Sequence, residues 1–156
     1  MSENILYEAS FKVANINNSK YDRVSRIQGV NDPSSDTAMF LDVNTELYPV
    51  EIDERVTIAL ALSLNLDGSK DDSKGWRNVG RGEQTLADEY DYVCHGKIYR
   101  FEEGDGQNIL LLPIHLVLTM KSKVYISFGG LLMLIDGPYN ALAALRVDYV
   151  YLLMKK

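Results

Sequence analysis

Polar and apolar residues alternate along most of this chain. Ile5, Tyr7, Ala9, Phe11 and Val13 face one way against Leu6, Glu8, Ser10 and Lys12, the period-two signature of a half-buried strand. A turn cluster, Asn15 to Ser19, leads into a β-prone second strand over Tyr21 to Ile27. Met39, Leu41, Val43, Thr45 and Leu47 predict a third strand, ended by Tyr48-Pro49 because proline cannot donate to a ladder. Val56, Ile58, Leu60, Leu62 and Leu64 predict a fourth. The aromatic, β-branched run Tyr90 to Phe101 predicts a fifth, with Gly96 as its bulge position.

The stretch Lys123 to Asp136 organises the rest. Val124, Ile126 and Phe128 share one face of a strand, with Tyr125 and Ser127 on the other. Beyond Gly129-Gly130 the run Leu131 to Ile135 is apolar on both faces, as in a strand covered on two sides. The glycine pair suits a bend or bulge at a barrel corner, since glycine alone tolerates positive φ and close backbone approach. A phosphate loop would need a lysine and a following helix, which this motif lacks. A short helix over Ala141 to Leu145 and a last strand over Val147 to Leu153 complete the chain.

Two stretches break the pattern. Residues 65–88, rich in Gly, Asp, Lys and Ser, predict a long mobile loop, with Trp76 as its one large apolar residue. Residues 108–122 are the opposite, an apolar segment interrupted by Pro113 and far short of the roughly 20 residues a bilayer crossing requires. About eight strands with little helix predict one all-β domain, an antiparallel OB-like barrel over 1–156.

Charge narrows the partners. Sixteen basic against 22 acidic residues give a net charge of −6, which repels a phosphate backbone, so nucleic-acid contact is expected to be weak or indirect. One cysteine excludes an internal disulfide, and with only two histidines neither a metal site nor another cofactor is expected. The acidic start MSENILYEAS lacks the pattern of a signal peptide and predicts a cytosolic or nuclear protein with no membrane partner. Cys94 and His95 are adjacent and point to opposite faces of a strand, so they form no catalytic dyad. Asp42, Asn44 and Glu46 share a strand face and read as solvated.

YDRVSRI (21–27), LDVNTELYPV (41–50), HGKIYR (95–100), VYISFGGLLM (124–133) and VYLLMKK (150–156) together resemble the small common subunit of eukaryotic nuclear RNA polymerases. The blocks occur in that family's order and cover most of the chain outside two loops. The resemblance implies an OB-type barrel with a large mobile loop. It also implies a noncatalytic subunit of polymerases I, II and III that docks on their largest subunit, in the nucleus and the nucleolus. The segment 108–122 departs from the family's short polar hairpin and reads as a lineage insertion or a product of imperfect exon joining.

Two surfaces follow. The first is a docking surface of Tyr99, Arg100, Ser127, Phe128, Gly129, Gly130 and Leu131, where an exposed barrel edge would invite strand addition. The second reading is a free-standing OB module that stacks single-stranded bases on Tyr92 and Tyr125, with Arg23, Arg26 and Lys97 supplying charge. It requires a basic groove that the acidic composition does not advertise.

Overall fold

A computed structural model describes residues 5–18, 23–31, 36–64, 86–103 and 121–156. Among these described residues are eight strands: β1 (Ile5–Asn17), β2 (Val24–Asn31), β3 (Ala38–Asn44), β4 (Arg55–Ala61), β5 (Tyr92–Glu103), β6 (Lys121–Phe128), β7 (Leu131–Pro138) and β8 (Tyr149–Lys155). They close in the order β1-β2-β3-β7-β6-β5-β8-β4, and every pairing is antiparallel. The all-β antiparallel barrel expected from the alternation is therefore the fold. Each strand has a hydrogen-bonded neighbour on both sides, so the exposed barrel edge anticipated for strand addition is replaced by closure.

Alternation places one face of each strand inside. Phe11, Ile27, Met39, Leu41, Ile58, Leu60, Ile98, Ile126, Ile135 and Leu152 are among the fully buried side chains of this core. A second, smaller cluster lies outside the barrel wall: Ala59, Ala61 and Leu153 are wholly buried there, packed by Ile5, Leu64 and Tyr90. Two alanines and a leucine leave room for that close cover. Leu62 and Leu64 thus fall beyond β4, and Leu64 folds back over this cluster.

Several element ends differ from the sequence reading, each for a local reason. β1 continues through Asn15 to Asn17 because a bulge between Val13 and Asn15 restores its pairing with β2. β3 stops at Asn44, whose side-chain oxygen accepts from the N–H groups of Glu46 and Leu47 at 3.2 and 3.3 Å. Leu47 consequently points outward, 75% exposed. β2 runs on to Asn31, and β8 begins at Tyr149 rather than Val147. The one-turn helix α1 (Tyr139–Leu142) starts directly after Pro138, earlier than expected. Of the expected 65–88 loop, residues 65–85 with Trp76 lie outside the described residues, while Leu86–Glu89 form a 3₁₀ turn. Of the apolar segment 108–122, residues 108–120 with His115 lie outside them, and Lys121 and Ser122 instead open β6.

Glycines set two close features. Gly129 (φ +65°) and Gly130 (φ +101°) form a two-residue hairpin turn between Phe128 and Leu131, which pair directly. The motif is thus a tight hairpin rather than a bulge. Gly96 is not the bulge of β5 either. It lies where β6 presses against the strand: a Cβ there would sit 2.3 Å from the Ser127 carbonyl oxygen and 2.5 Å from Phe128 Cδ1. The bulge comes three residues later, between Ile98 and Arg100.

Candidate functional site

The ladder register assembles two rows of outward side chains across the wall. The first runs through directly opposed residues, Gln28 to Phe40, Phe40 to Leu134, Leu134 to Tyr125, and Tyr125 to Arg100. The second pairs Arg26 with Asp42 on β2 and β3, and Leu132 with Ser127 and then Lys97 on β7, β6 and β5. The ladder between β3 and β7 covers only Ala38 to Leu41 and Met133 to Asp136, so the two halves of this second row have no direct backbone pairing. A side chain joins them instead. Asp42 Oδ2 accepts the Leu132 N–H at 3.0 Å.

The bulge in β5 decides the rest of the face. It puts consecutive residues Tyr99 and Arg100 both outside, between buried Ile98 and half-buried Phe101. Tyr99 then tilts against Tyr125 at 6.2 Å between ring centroids. The Arg100 guanidinium lies 5.5 Å from the centroid of the Tyr125 ring and pairs with Glu102 at 2.6 Å. Tyr125 donates its hydroxyl to the same carboxylate at 3.1 Å; burial first, then this bond, pushes its pKa up. Between the rows lies a hollow of about 350 Å³, walled by Phe40, Tyr99, Tyr125, Leu132 and Leu134, with Arg26 at its rim.

The arginines of this face are held by carboxylates of the chain. Arg26 binds Asp42 through Nε at 2.7 Å and Nη2 at 3.1 Å, a bidentate pair in which Asp42 is only 5% exposed. Asp42 is therefore buried, not the solvated residue its strand position suggested. Asn44 is half-buried, and Glu46 is exposed and pairs with Arg23 at 3.2 Å.

The structure thus brings together Tyr99, Arg100, Ser127, Arg26, Lys97 and Tyr125, drawn from both sequence-derived surfaces. Lys97 sits 5.5 Å from the centroid of the Tyr149 ring, and Tyr149 stacks on His95 at 5.5 Å. Gly129 and Gly130 form the exposed tip of the hairpin, where the Ser127 hydroxyl accepts the Gly130 N–H at 3.3 Å. Phe128 instead points into the core and Leu131 packs half-buried against it. Tyr92 also turns away from the face: it stacks on Tyr48 at 5.4 Å and its hydroxyl accepts the Asn44 N–H at 3.4 Å. Arg23 precedes β2 and pairs outside the two rows.

The sequence model of the family described as RNA polymerase Rpb8 matches residues 8–156. The chain belongs to the Rpb8 family. It is 37% identical over 155 residues to the DNA-directed RNA polymerases II, IV and V subunit 8B of Arabidopsis thaliana, covering 97% of this chain and 96% of that protein. It is 36% identical over 157 residues to the DNA-directed RNA polymerases I, II, and III subunit RPABC3 of Saccharomyces cerevisiae, covering 98% and 99%. The Schizosaccharomyces pombe subunit of the same name is 35% identical over 156 residues, with both chains fully covered. The resemblance carried by the strand motifs is therefore family membership.

For this Rpb8 family member, sequence reading missed four residues of the face: Phe40, Asp42, Leu132 and Leu134. The two leucines had a visible signal. A β7 apolar on both faces must offer its outward leucines to something beyond the barrel core. Phe40 had a like signal, an aromatic on the outward phase of β3, whereas Asp42 carried none, because its role depends on strands distant in sequence.

Proposed function

We propose that the chain is a structural subunit, with no catalysis of its own, shared by DNA-directed RNA polymerases I, II and III, and that it docks on their largest subunit. The docking surface in this reading is the outer face of β5, β6 and β7 with the Gly129-Gly130 tip. Its main support is the bulge that turns Tyr99 and Arg100 outward together beside Tyr125 and Ser127 on a closed wall. Aromatic and arginine side chains at the centre of a rigid face are the usual anchors of a protein interface. The sharing of one subunit among three enzymes is carried over from the yeast relatives' names, and a place in the nucleus, nucleolus included, goes with it.

Single-strand binding has less support. Arg26 and Arg100 are each engaged by a carboxylate, and a net charge of −6 opposes a phosphate backbone. Affinity purification of the tagged full chain from nuclear extract, with a salt titration, tests the reading. Recovery of the largest subunits of all three polymerases through high salt is the expected result. Recovery of nucleic acid alone, lost as salt rises, would overturn it.

A further inference from the structure

Every strand around the hollow is hydrogen-bonded on both sides, so this face offers a partner side chains rather than a free strand to pair with. What those side chains offer is largely apolar. Arg26 in the wall forms an ion pair with Asp42, and Arg100, on the Tyr125 ring outside the hollow, forms one with Glu102, so each guanidinium is matched by a carboxylate. Between them Phe40, Leu132, Leu134 and the rings of Tyr99 and Tyr125 present apolar surface, with Leu132 40% and Tyr99 47% exposed.

Resting on the docking reading above, we infer that the hollow is a seat for one uncharged apolar anchor, a leucine, methionine or phenylalanine side chain projecting from the polymerase's largest subunit. A charged anchor would give up its hydration for walls that are mostly apolar and for arginines whose charge is already matched, whereas an apolar one covers Leu132 and the two rings and leaves both pairs intact. The walls come from five adjacent strands, β2, β3, β7, β6 and β5, so the seat is largely formed before the partner arrives. The anchor supplies attachment, and the apolar walls disfavour a basic or acidic side chain in the same position through its desolvation.

The test is the affinity of the full-length chain for polymerase II stripped of this subunit, measured at low and high salt. Leu132→Lys places an ammonium over the hollow at a position that is 40% exposed. It should weaken binding at least about tenfold, while Leu132→Met should stay within about threefold of the parent. Tyr99→Ser, on the opposite wall at an exposed position, should weaken binding as well. Binding of the parent should change little with salt. Parent-like affinity of both Leu132→Lys and Tyr99→Ser, in a chain whose binding Gly130→Val weakens, would overturn the apolar seat and leave the docking reading standing. Failure of the parent chain to bind would overturn both. Concentration-dependent dimers of the isolated chain, dispersed by Leu132→Lys, would assign the hollow to a second copy and overturn the polymerase anchor.

Discussion

Asp42 and Leu132, 90 residues apart in sequence, are joined by a 3.0 Å hydrogen bond from the Leu132 N–H to Asp42 Oδ2. It lies where the β3–β7 ladder has already ended, and the same carboxylate holds Arg26. One side chain therefore ties β2, β3 and the start of β7 together behind the hollow. Asp42→Ala strands the Leu132 N–H and releases the Arg26 guanidinium from its partner. The expected cost is about 2–3 kcal/mol, since hydrogen bonds to charged groups are the stronger ones and Arg26 retains some access to water. Urea unfolding checks this, and a loss below about 0.5 kcal/mol would show that the clasp is dispensable.

The two turn glycines should respond differently to substitution. Gly129 at φ +65° is in the left-handed region that asparagine tolerates, and no atom lies within 4 Å of a Cβ built there. Gly129→Asn should leave thermal stability nearly unchanged. Gly130→Val puts a β-branched residue at φ +101°, also in open space, so any loss comes from backbone strain alone. We expect about 1–3 kcal/mol, read by melting the isolated chain before any binding measurement. A Gly130→Val chain as stable as its parent would contradict the assigned turn.

Gly96→Ala tests close approach rather than conformation. Its new methyl would meet the Ser127 carbonyl oxygen at 2.3 Å and Phe128 Cα at 2.9 Å, backbone atoms that cannot rotate aside. The β5–β6 pairing must then move apart, at about 3 kcal/mol, the upper end of overpacking costs. Denaturant unfolding measures the loss, and amide exchange at Ile98 and Ser127 should report it locally. Unaltered exchange there would place the strain elsewhere.

Alkaline pH should destabilise the barrel through its tyrosines. Burial first, then the nearby Asp36 carboxylate, pushes Tyr7 from 10.0 up to about 12, against a lowering hydrogen bond with Thr37. Tyr48, Tyr90 and Tyr92 are likewise raised to about 12, with burial the largest cause in each. Between pH 10 and 12 the unfolded chain has lost these protons while the folded chain keeps them, so the unfolded state binds fewer protons and stability falls as pH rises. Below pH 10 both states are protonated and the tyrosines contribute no slope. Tyr7→Phe should flatten the alkaline decline by up to about 1.4 kcal/mol per pH unit. Melting curves across this range decide it, and an unchanged slope would count against burial of the phenol.

Recognition of the candidate face from sequence depended on which kind of signal each residue carried. Tyr99, Arg100, Ser127 and Tyr125 are polar or aromatic positions on predicted strands, and alternation alone marked Ser127 and Tyr125 as outward. Alternation held at Phe128, which lies inward with Val124 and Ile126; its assignment to the docking surface came from its place next to the glycines. Alternation failed at Tyr99 and Arg100, where strict period two would turn one of them inward. The bulge that frees both is set by pairing with β6, more than 20 residues away.

The chain by itself determined the strands, the positive φ of the glycine pair and family membership, because strand periodicity, the positive-φ requirement and motif order are local properties of the sequence. Tertiary structure decided everything that depends on register. Closure removed the expected free edge, a bulge turned Tyr99 outward beside Tyr125, and the gap between β3 and β7 buried an aspartate that looked solvated. Register is fixed by which distant strands meet, and a shift of one residue exchanges the two faces of a strand. The face therefore exists only once the barrel has closed.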